Sequence, residues 1–248
     1  MTMGGTAELL PCGVAELSWI DESGAVSRGP LAGSWSVAFE RVAPARAFGS
    51  FKGQCSFQGS WWFATTGGHV GFESWLERDV LMALDYDADV AAVSSQPFWL
   101  SWPAGGRSRR HAPDFFARLM DGSALVIDVR ADDRIDARDA EVFAVTAEAC
   151  VSVGWRYERR GRLDSVRAAN LRWLSGYRHR RCCAQSVADR LVEQLTMPVP
   201  LGELVSMVGD RLAVLPTLYH LLWRRVIDAD LTSAPLSGLT VLHRERLR

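Results

Sequence analysis

Apolar and polar residues alternate in short runs through residues 15–65, in stretches such as "GSWSVAFERV" and "GSWWFATT" separated by glycines. A period of two marks half-buried strands, so this part of the chain is expected to form β-hairpins. From Gly71 the period lengthens. Phe72, Leu76, Val80 and Leu84 fall on one face of "GFESWLERDVLMALDYD", which predicts a helix of three to four turns. "VAAVSSQPFWLSWP" (90–103) then reads as a strand, a break at Pro97 and a second strand. "GGRSRR" follows as a polar turn with a basic tip.

"HAPDFFARLM" and "SALVIDVR" flank Asp121-Gly122, a strong hairpin signal, and are expected to pair as antiparallel strands. Residues 136–150 fit an amphipathic helix and "VSVGWRYE" a strand, so a βββαβ order emerges with the earlier helix packed alongside. Residues 162–196 read as helical and basic, and Pro198 and Pro200 mark a boundary. Beyond it "PLGELVSMVG" predicts a short helix and turn, "LPTLYHLLWRRVIDADL" a longer helix, and "LSGLTVLHRE" a β-wing, the order of a small DNA-binding module. The expected layout is a mixed α/β protein with a β-rich extension (1–60), a core (61–160), a basic helical connector (161–196) and a winged-helix-like domain (197–248).

Composition narrows the class. The chain has 248 residues, 48% hydrophobic and 23% charged, as expected of a globular protein. No apolar run reaches membrane-spanning length and Met1 to Gly13 lacks the order of a signal peptide, so a cytoplasmic protein without a membrane partner is expected. Five cysteines without a Cys-x-x-Cys pair argue against a disulfide framework or a structural zinc site, and Cys182 and Cys183 read as packing thiols.

Charge is uneven. Residues 1–150 hold 12 basic and 20 acidic groups, a balance of −8, whereas residues 151–248 hold 16 and 9, a balance of +7. The C-terminal part is therefore the better partner for a phosphate backbone. Lys52 is the only lysine among 28 basic residues.

The candidate chemistry lies in the predicted 111–130 hairpin. Asp114 begins one strand and Asp128 ends its partner, close enough in the chain for a hairpin to bring both carboxylates to one ion. Hard cations such as Mg²⁺ require such oxygen ligands, and a metal-activated water is an effective nucleophile towards a phosphodiester. Glu73 and Glu77, spaced i, i+4 on the preceding helix, offer a third carboxylate, with Glu73 reading as a surface residue; the Val129 carbonyl is a further ligand candidate. A carboxylate that directly follows the apolar run "ALVI" needs a partner or a metal. His111 reads as structural, with water positioning as the alternative. Arg107, Arg109 and Arg110 suit phosphate contact or a solvated turn.

The run "ESWLERDVLMALDYDADVAAVSSQPFWLSW", followed by "HAPDFFARLMDG" and "VIDVR", resembles the endonuclease subunit of heteromeric transposases, the TnsA type, a branch of the PD-(D/E)xK restriction-endonuclease-like fold. The likeness covers roughly residues 60–160, with Gln96-Pro97 between the helix and the Pro-Asp strand. It implies a site of Glu77 in a Ser-x-x-Glu context, Asp114 of Pro-Asp, and Asp128, with Mg²⁺ or Mn²⁺ as cofactor. It also implies a function, which is nicking double-stranded DNA at the 5′ ends of a mobile element beside an integrase-like transposase partner.

The departure is Arg130, which stands where the family has a lysine. Arginine stabilises developing negative charge but, with its very high pKa, does not serve as a base. Three readings are open: Arg130 takes the electrostatic role; Lys52 has taken over the lysine's part; or the nuclease is degenerate and serves as a DNA-binding or adaptor subunit. An RNA or repair nuclease of the same fold is a further alternative.

Of the indoles, Trp61, Trp62, Trp75, Trp99, Trp102, Trp155 and Trp173 are expected mostly in the core rather than stacked on bases. Arg224 and Arg225 end the longer tail helix after Tyr219, His220 and Trp223. That helix is expected either to enter a major groove or to dock on a partner subunit.

Overall fold

The computed structural model describes residues 15–46 and 57–244. These divide into two compact units, one formed from residues 15–46, 57–80 and 89–162 and the other from residues 81–88 and 163–244.

The first unit opens with a hairpin of β1 (Glu16–Ile20) and β2 (Val26–Pro30), then a single helical turn, α1 (Leu31–Ser34). The stretch "GSWSVAFERV", expected as strand, is instead a turn and a short 3₁₀ segment at Phe39–Arg41. Its alternation serves a different purpose, which is to insert Phe39 as a knob into the core. Phe39 is fully buried and meets Trp19, Phe98, Phe116 and Trp155 edge-on, with ring centroids 4.9–5.7 Å apart. Tertiary contact here overrides local propensity. A second hairpin pairs β3 (Gly59–Trp62), within the stretch expected as strand, with β4 (His69–Phe72), which lies beyond the range expected to form hairpins. Phe72 therefore belongs to a strand, and helix α2 (Trp75–Tyr86) starts later than its apolar period implied.

The remaining strands of this unit, together with β1 and β2, form two four-stranded sheets. Strands β5 (Val90–Ser95) and β6 (Trp99–Ala104) flank the expected break at Pro97 but belong to different sheets. Strand β6 pairs antiparallel with β1 and with β7 (Arg107–His111), giving the order β2-β1-β6-β7. The basic tip expected as a turn is thus a strand; only Gly105 and Gly106 turn, both at positive φ.

The second sheet has the order β10-β9-β8-β5, built from β8 (Phe115–Leu119), β9 (Ala124–Val129) and β10 (Arg156–Arg160). Strands β5, β8 and β9 are antiparallel neighbours, and Gly122 takes the positive φ that the Asp-Gly turn requires. Helix α3 (Ala137–Ser152), capped by the Asp136 carboxylate, carries the chain over so that β10 joins β9 in parallel. The expected βββαβ order is present, with the β6–β7 hairpin inserted. Phe115 and Phe116 point to opposite faces of the sheet and both are fully buried. Two-sided burial explains why "ALVI" is continuous rather than alternating.

The second unit contains α4 (Ser165–Ser175), α5 (Gln185–Gln194), β11 (Val199–Pro200), α6 (Leu201–Val208), α7 (Arg211–Trp223), β12 (Ile227–Ala229) and β13 (Val241–Arg244). Its small antiparallel sheet has the order β11-β13-β12. Helices α4 and α5, expected as a connector, pack on α7 within this unit.

Asn170 fastens the 231–236 segment. It is buried, its Nδ2 donates to the carbonyls of Leu231 (3.0 Å) and Ala234 (2.9 Å), and its Oδ1 accepts from the Leu236 N–H (2.8 Å). Asn170→Ala would strand three backbone groups. The expected cost is roughly 2–4 kcal/mol, visible as faster amide exchange across 229–237. Unchanged exchange there would show that the segment holds without this side chain.

Among the described residues no helix is long and apolar enough to cross a membrane, and Cys150, Cys182 and Cys183 are free thiols. Trp61, Trp102 and Trp155 are buried as expected. Trp75 and Trp173 are about half exposed, Trp75 stacking on Phe57 at 4.4 Å and Trp173 meeting Tyr177 and Tyr219.

Candidate functional site

Within the first unit a cleft of about 400 Å³ is lined by Glu77, Asp114, Asp128, Val129 and Arg130, together with Arg46, Glu73, Arg110, His111 and Asp139. The β8–β9 register pairs Phe115 with Ile127, and one further step sets Asp114 across from Asp128. The Val129 N–H donates to Asp114 Oδ2 at 2.7 Å, which ties the two strand ends together. Asp114 Oδ1 has no hydrogen-bond partner among the described residues. Burial first, then the charges of Asp128 and Glu77, hold the Asp114 carboxyl well above the usual carboxylate range.

Asp128 is the most enclosed of the acids, with 1% of its surface exposed. Tyr157 Oη donates to its Oδ2 and the His111 Nε2–H to its Oδ1, each at 2.8 Å. Burial, followed by the Asp128 charge, pushes the Tyr157 hydroxyl and the Cys150 thiol up, so both stay protonated. His111 is thus tied to Asp128, an arrangement compatible with both the structural and the water-positioning reading. Tyr157 was missed because no local pattern marks it; it reaches Asp128 only through the parallel pairing of β10 with β9.

Glu77 and Glu73 do not share a helical face, since Glu73 precedes α2. The Glu77 carboxylate accepts from the Glu73 N–H (2.7 Å) and the Ser74 hydroxyl (2.8 Å), while the Glu77 N–H donates to Ser74 Oγ (3.1 Å). This is a capping box, which satisfies orphan donors at the start of α2. Burial raises the Glu77 carboxyl above its ordinary range, partly offset by those two hydrogen bonds. Glu73 forms an ion pair with Arg46 and accepts from Gln96 Nε2 at 2.9 Å. Gln96 is buried at φ 47°, an uncommon backbone conformation for a residue with a side chain, and its Oε1 has no partner among the described residues.

Arg130 lines the cleft but is paired with Asp139. Its Nε and Nη2 lie 2.9 and 2.8 Å from Asp139 Oδ2 on α3. Of the β7 arginines, Arg109 pairs with Glu141 at 2.7 Å, Arg110 lies over the Trp99 ring at 4.2 Å, and Arg107 is exposed. Lys52 lies outside the described residues. In the second unit Arg224 is exposed at the end of α7, and Arg225 turns back over the Tyr86 ring at φ 57°. His220 and Trp223 are buried, so these two side chains are not offered to a groove; Arg211, Leu212 and Ala213 are the exposed residues of α7.

The oxygen donors of Asp114 and Asp128 suit a hard divalent cation. Among the described residues no group of three or more His, Cys, Asp or Glu side chains is arranged to hold an ion. Mg²⁺, however, is commonly held by one or two carboxylates with water and substrate phosphate completing its octahedron. Each oxygen of Asp128 keeps a lone pair beyond the one its hydrogen bond uses, and Asp114 Oδ1 has no partner among the described residues, so the two offer oxygen donors of the kind such an ion takes.

The raised Asp114 carboxyl carries a stability consequence. Folding favours its protonated form, so the associated stability is complete below the ordinary carboxylate range and is lost as pH rises through the raised pKa. Asp114→Asn keeps an acceptor for the Val129 N–H without the charge. Its Tm is expected to match the wild type below pH ~4 and to exceed it at pH 7.5 by about 2–4 °C for each kcal/mol relieved. A variant less stable than the wild type at pH 7.5 would show that Asp114 carries no electrostatic strain.

No family model matches the chain, and no curated protein matches it.

Proposed function

We propose that this chain is a metal-dependent DNA endonuclease subunit of a heteromeric transposase, hydrolysing phosphodiester bonds at the 5′ ends of a mobile element. The observation that carries the reading is the convergence of Asp114, Asp128 and Glu77 on one cleft, close enough for the other two charges to hold the Asp114 carboxyl up. Like charges brought together in a partly desolvated site are costly, and such arrangements mark functional sites. The mixed α/β architecture, with helix α2, the sheet β10-β9-β8-β5 and the crossover by α3, supports reading it as a restriction-endonuclease-like core.

Asp114 and Asp128 would hold the ion, with the Val129 carbonyl as a further ligand. A bound Mg²⁺ or Mn²⁺ would supply an activated water and neutralise charge at the scissile phosphate. Tyr157 and His111 fix the orientation of Asp128, and Arg46, Arg110 and Arg130 place cationic groups around the acidic floor, where a phosphate backbone needs them. In the second unit the order α5, β11, α6, α7, β12, β13 supports a winged-helix-like module. Its exposed α7 N-terminal turn at Arg211 is the part suited to base contacts.

A second reading, a degenerate nuclease acting as DNA-binding or adaptor subunit, is favoured by one feature. Glu77 and Arg130 already have protein partners, the capping box and Asp139. Incubating mobile-element-end DNA with this chain and its integrase-like partner, in Mg²⁺ or in EDTA, separates the two. Nicks at the 5′ ends that require the ion support the first reading. Salt-sensitive DNA binding without ion-dependent nicks overturns it in favour of the second.

A further inference from the structure

The backbone of Arg130 is pinned on both sides. Its N–H donates to the Arg160 carbonyl (3.0 Å) and its own carbonyl accepts from Arg159 Nη1 (3.1 Å). The side chain is held as firmly, with Nε and Nη2 both on Asp139 Oδ2 and Nε also 3.2 Å from the Arg134 carbonyl. Asp139 is anchored in turn in the first turn of α3, where its N–H donates to the Asp136 carboxylate at 2.7 Å. One edge of the guanidinium is therefore committed. Nη1, with two N–H donors, has no partner among the described residues, and both Arg130 and Asp139 line the cleft that holds Asp114 and Asp128.

We propose that Asp139 is a positioning residue that clamps Arg130 so that its free guanidinium edge can bind the negative charge developing on the scissile phosphate. The proposal rests on the nuclease reading and supplies its missing cation. A lysine presents a compact point charge on a flexible stem, whereas a guanidinium is a planar fork whose usefulness depends on its orientation. An unclamped arginine at position 130 would rotate about its terminal bonds, and misplacement by about 1 Å lowers a rate as much as 10²-fold. The acidic mate converts an ill-suited side chain into a fixed donor. Among the described residues no other carboxylate contacts Arg130.

The test is a double-mutant cycle on cleavage of mobile-element-end DNA, with the transposase partner and Mg²⁺ present. Asp139→Asn keeps the shape and the helix start but weakens the clamp. It is expected to lower kcat about 10- to 100-fold with KM and Tm nearly unchanged. Arg130→Lys cannot use a fork clamp, so adding Asp139→Asn to it should cost little more; strong non-additivity is the expected signature of one residue acting through the other. Equal fold-losses from Asp139→Asn in the wild-type and Arg130→Lys backgrounds, or a kcat unaffected by Asp139→Asn, overturn the assignment. Asp114→Ala run in parallel separates the two failures. Cutting that depends on Asp114 but ignores Asp139 removes this proposal alone, whereas cutting that ignores Asp114 removes the nuclease site and the clamp with it.

Discussion

Asp114→Ala is expected to lower metal-dependent cleavage at least about 10³-fold, roughly 4 kcal/mol of transition-state stabilisation, while DNA affinity changes less than about threefold. The size follows from position. Among the described residues Asp114 carries the one carboxylate oxygen of the Asp114–Asp128 pair without a hydrogen-bond partner, and its other oxygen ties down the Val129 N–H. Removing it leaves Asp128, whose two oxygens already serve Tyr157 and His111, as the sole strong ligand of that pair. On the nuclease reading DNA affinity should persist, because it would rest on arginines distributed over the chain rather than on this acid. Initial nicking rates and a salt-controlled binding isotherm on the same preparations check both halves. A rate within tenfold of the wild type would mean that the ion, or the chemistry, lies elsewhere.

Phe39→Ala is expected to be the most damaging substitution for stability in the first unit, at about 3–5 kcal/mol. Four aromatic rings converge on Phe39, and its carbonyl accepts from the buried Ser94 hydroxyl at 2.6 Å. Truncation empties the centre of this aromatic cluster. The loss is a large share of the ~5–15 kcal/mol available to a typical domain, so calorimetry should record a Tm lower by on the order of 10 °C. A shift under ~3 °C would place the centre of the core elsewhere.

These two residues also mark what the sequence disclosed and what it hid. Asp114 and Asp128 were legible because the Asp-Gly turn fixes the β8–β9 register, and because an acid that follows "ALVI" must find a partner on the end of a buried strand. The apolar periods located α2 and α3 to within a few residues. The Ser-x-x-Glu run at Ser74 also encodes a capping box, which uses both oxygens of Glu77. Phe39 was hidden because "GSWSVAFERV" alternates like a strand although its aromatic residue is recruited by partners distant in the chain. The separation of β5 from β6 into different sheets, and the reach of Tyr157 to Asp128 and of Asp139 to the cleft, were likewise set by long-range pairing that no local window contains. In α7 the apolar pattern was visible, but not which face is covered; burial of His220 and Trp223 follows from packing within the second unit.

If Asp114 and Asp128 grip one divalent ion between them, the isolated chain binds Mn²⁺ without DNA, partner or turnover. Titration followed by the electron paramagnetic resonance signal of free Mn²⁺ should show one ion taken up per wild-type chain and none by the Asp114→Asn, Asp128→Asn double variant, with Mg²⁺ displacing the bound ion. Equal uptake by the two proteins, or no uptake by the wild type, would contradict the account.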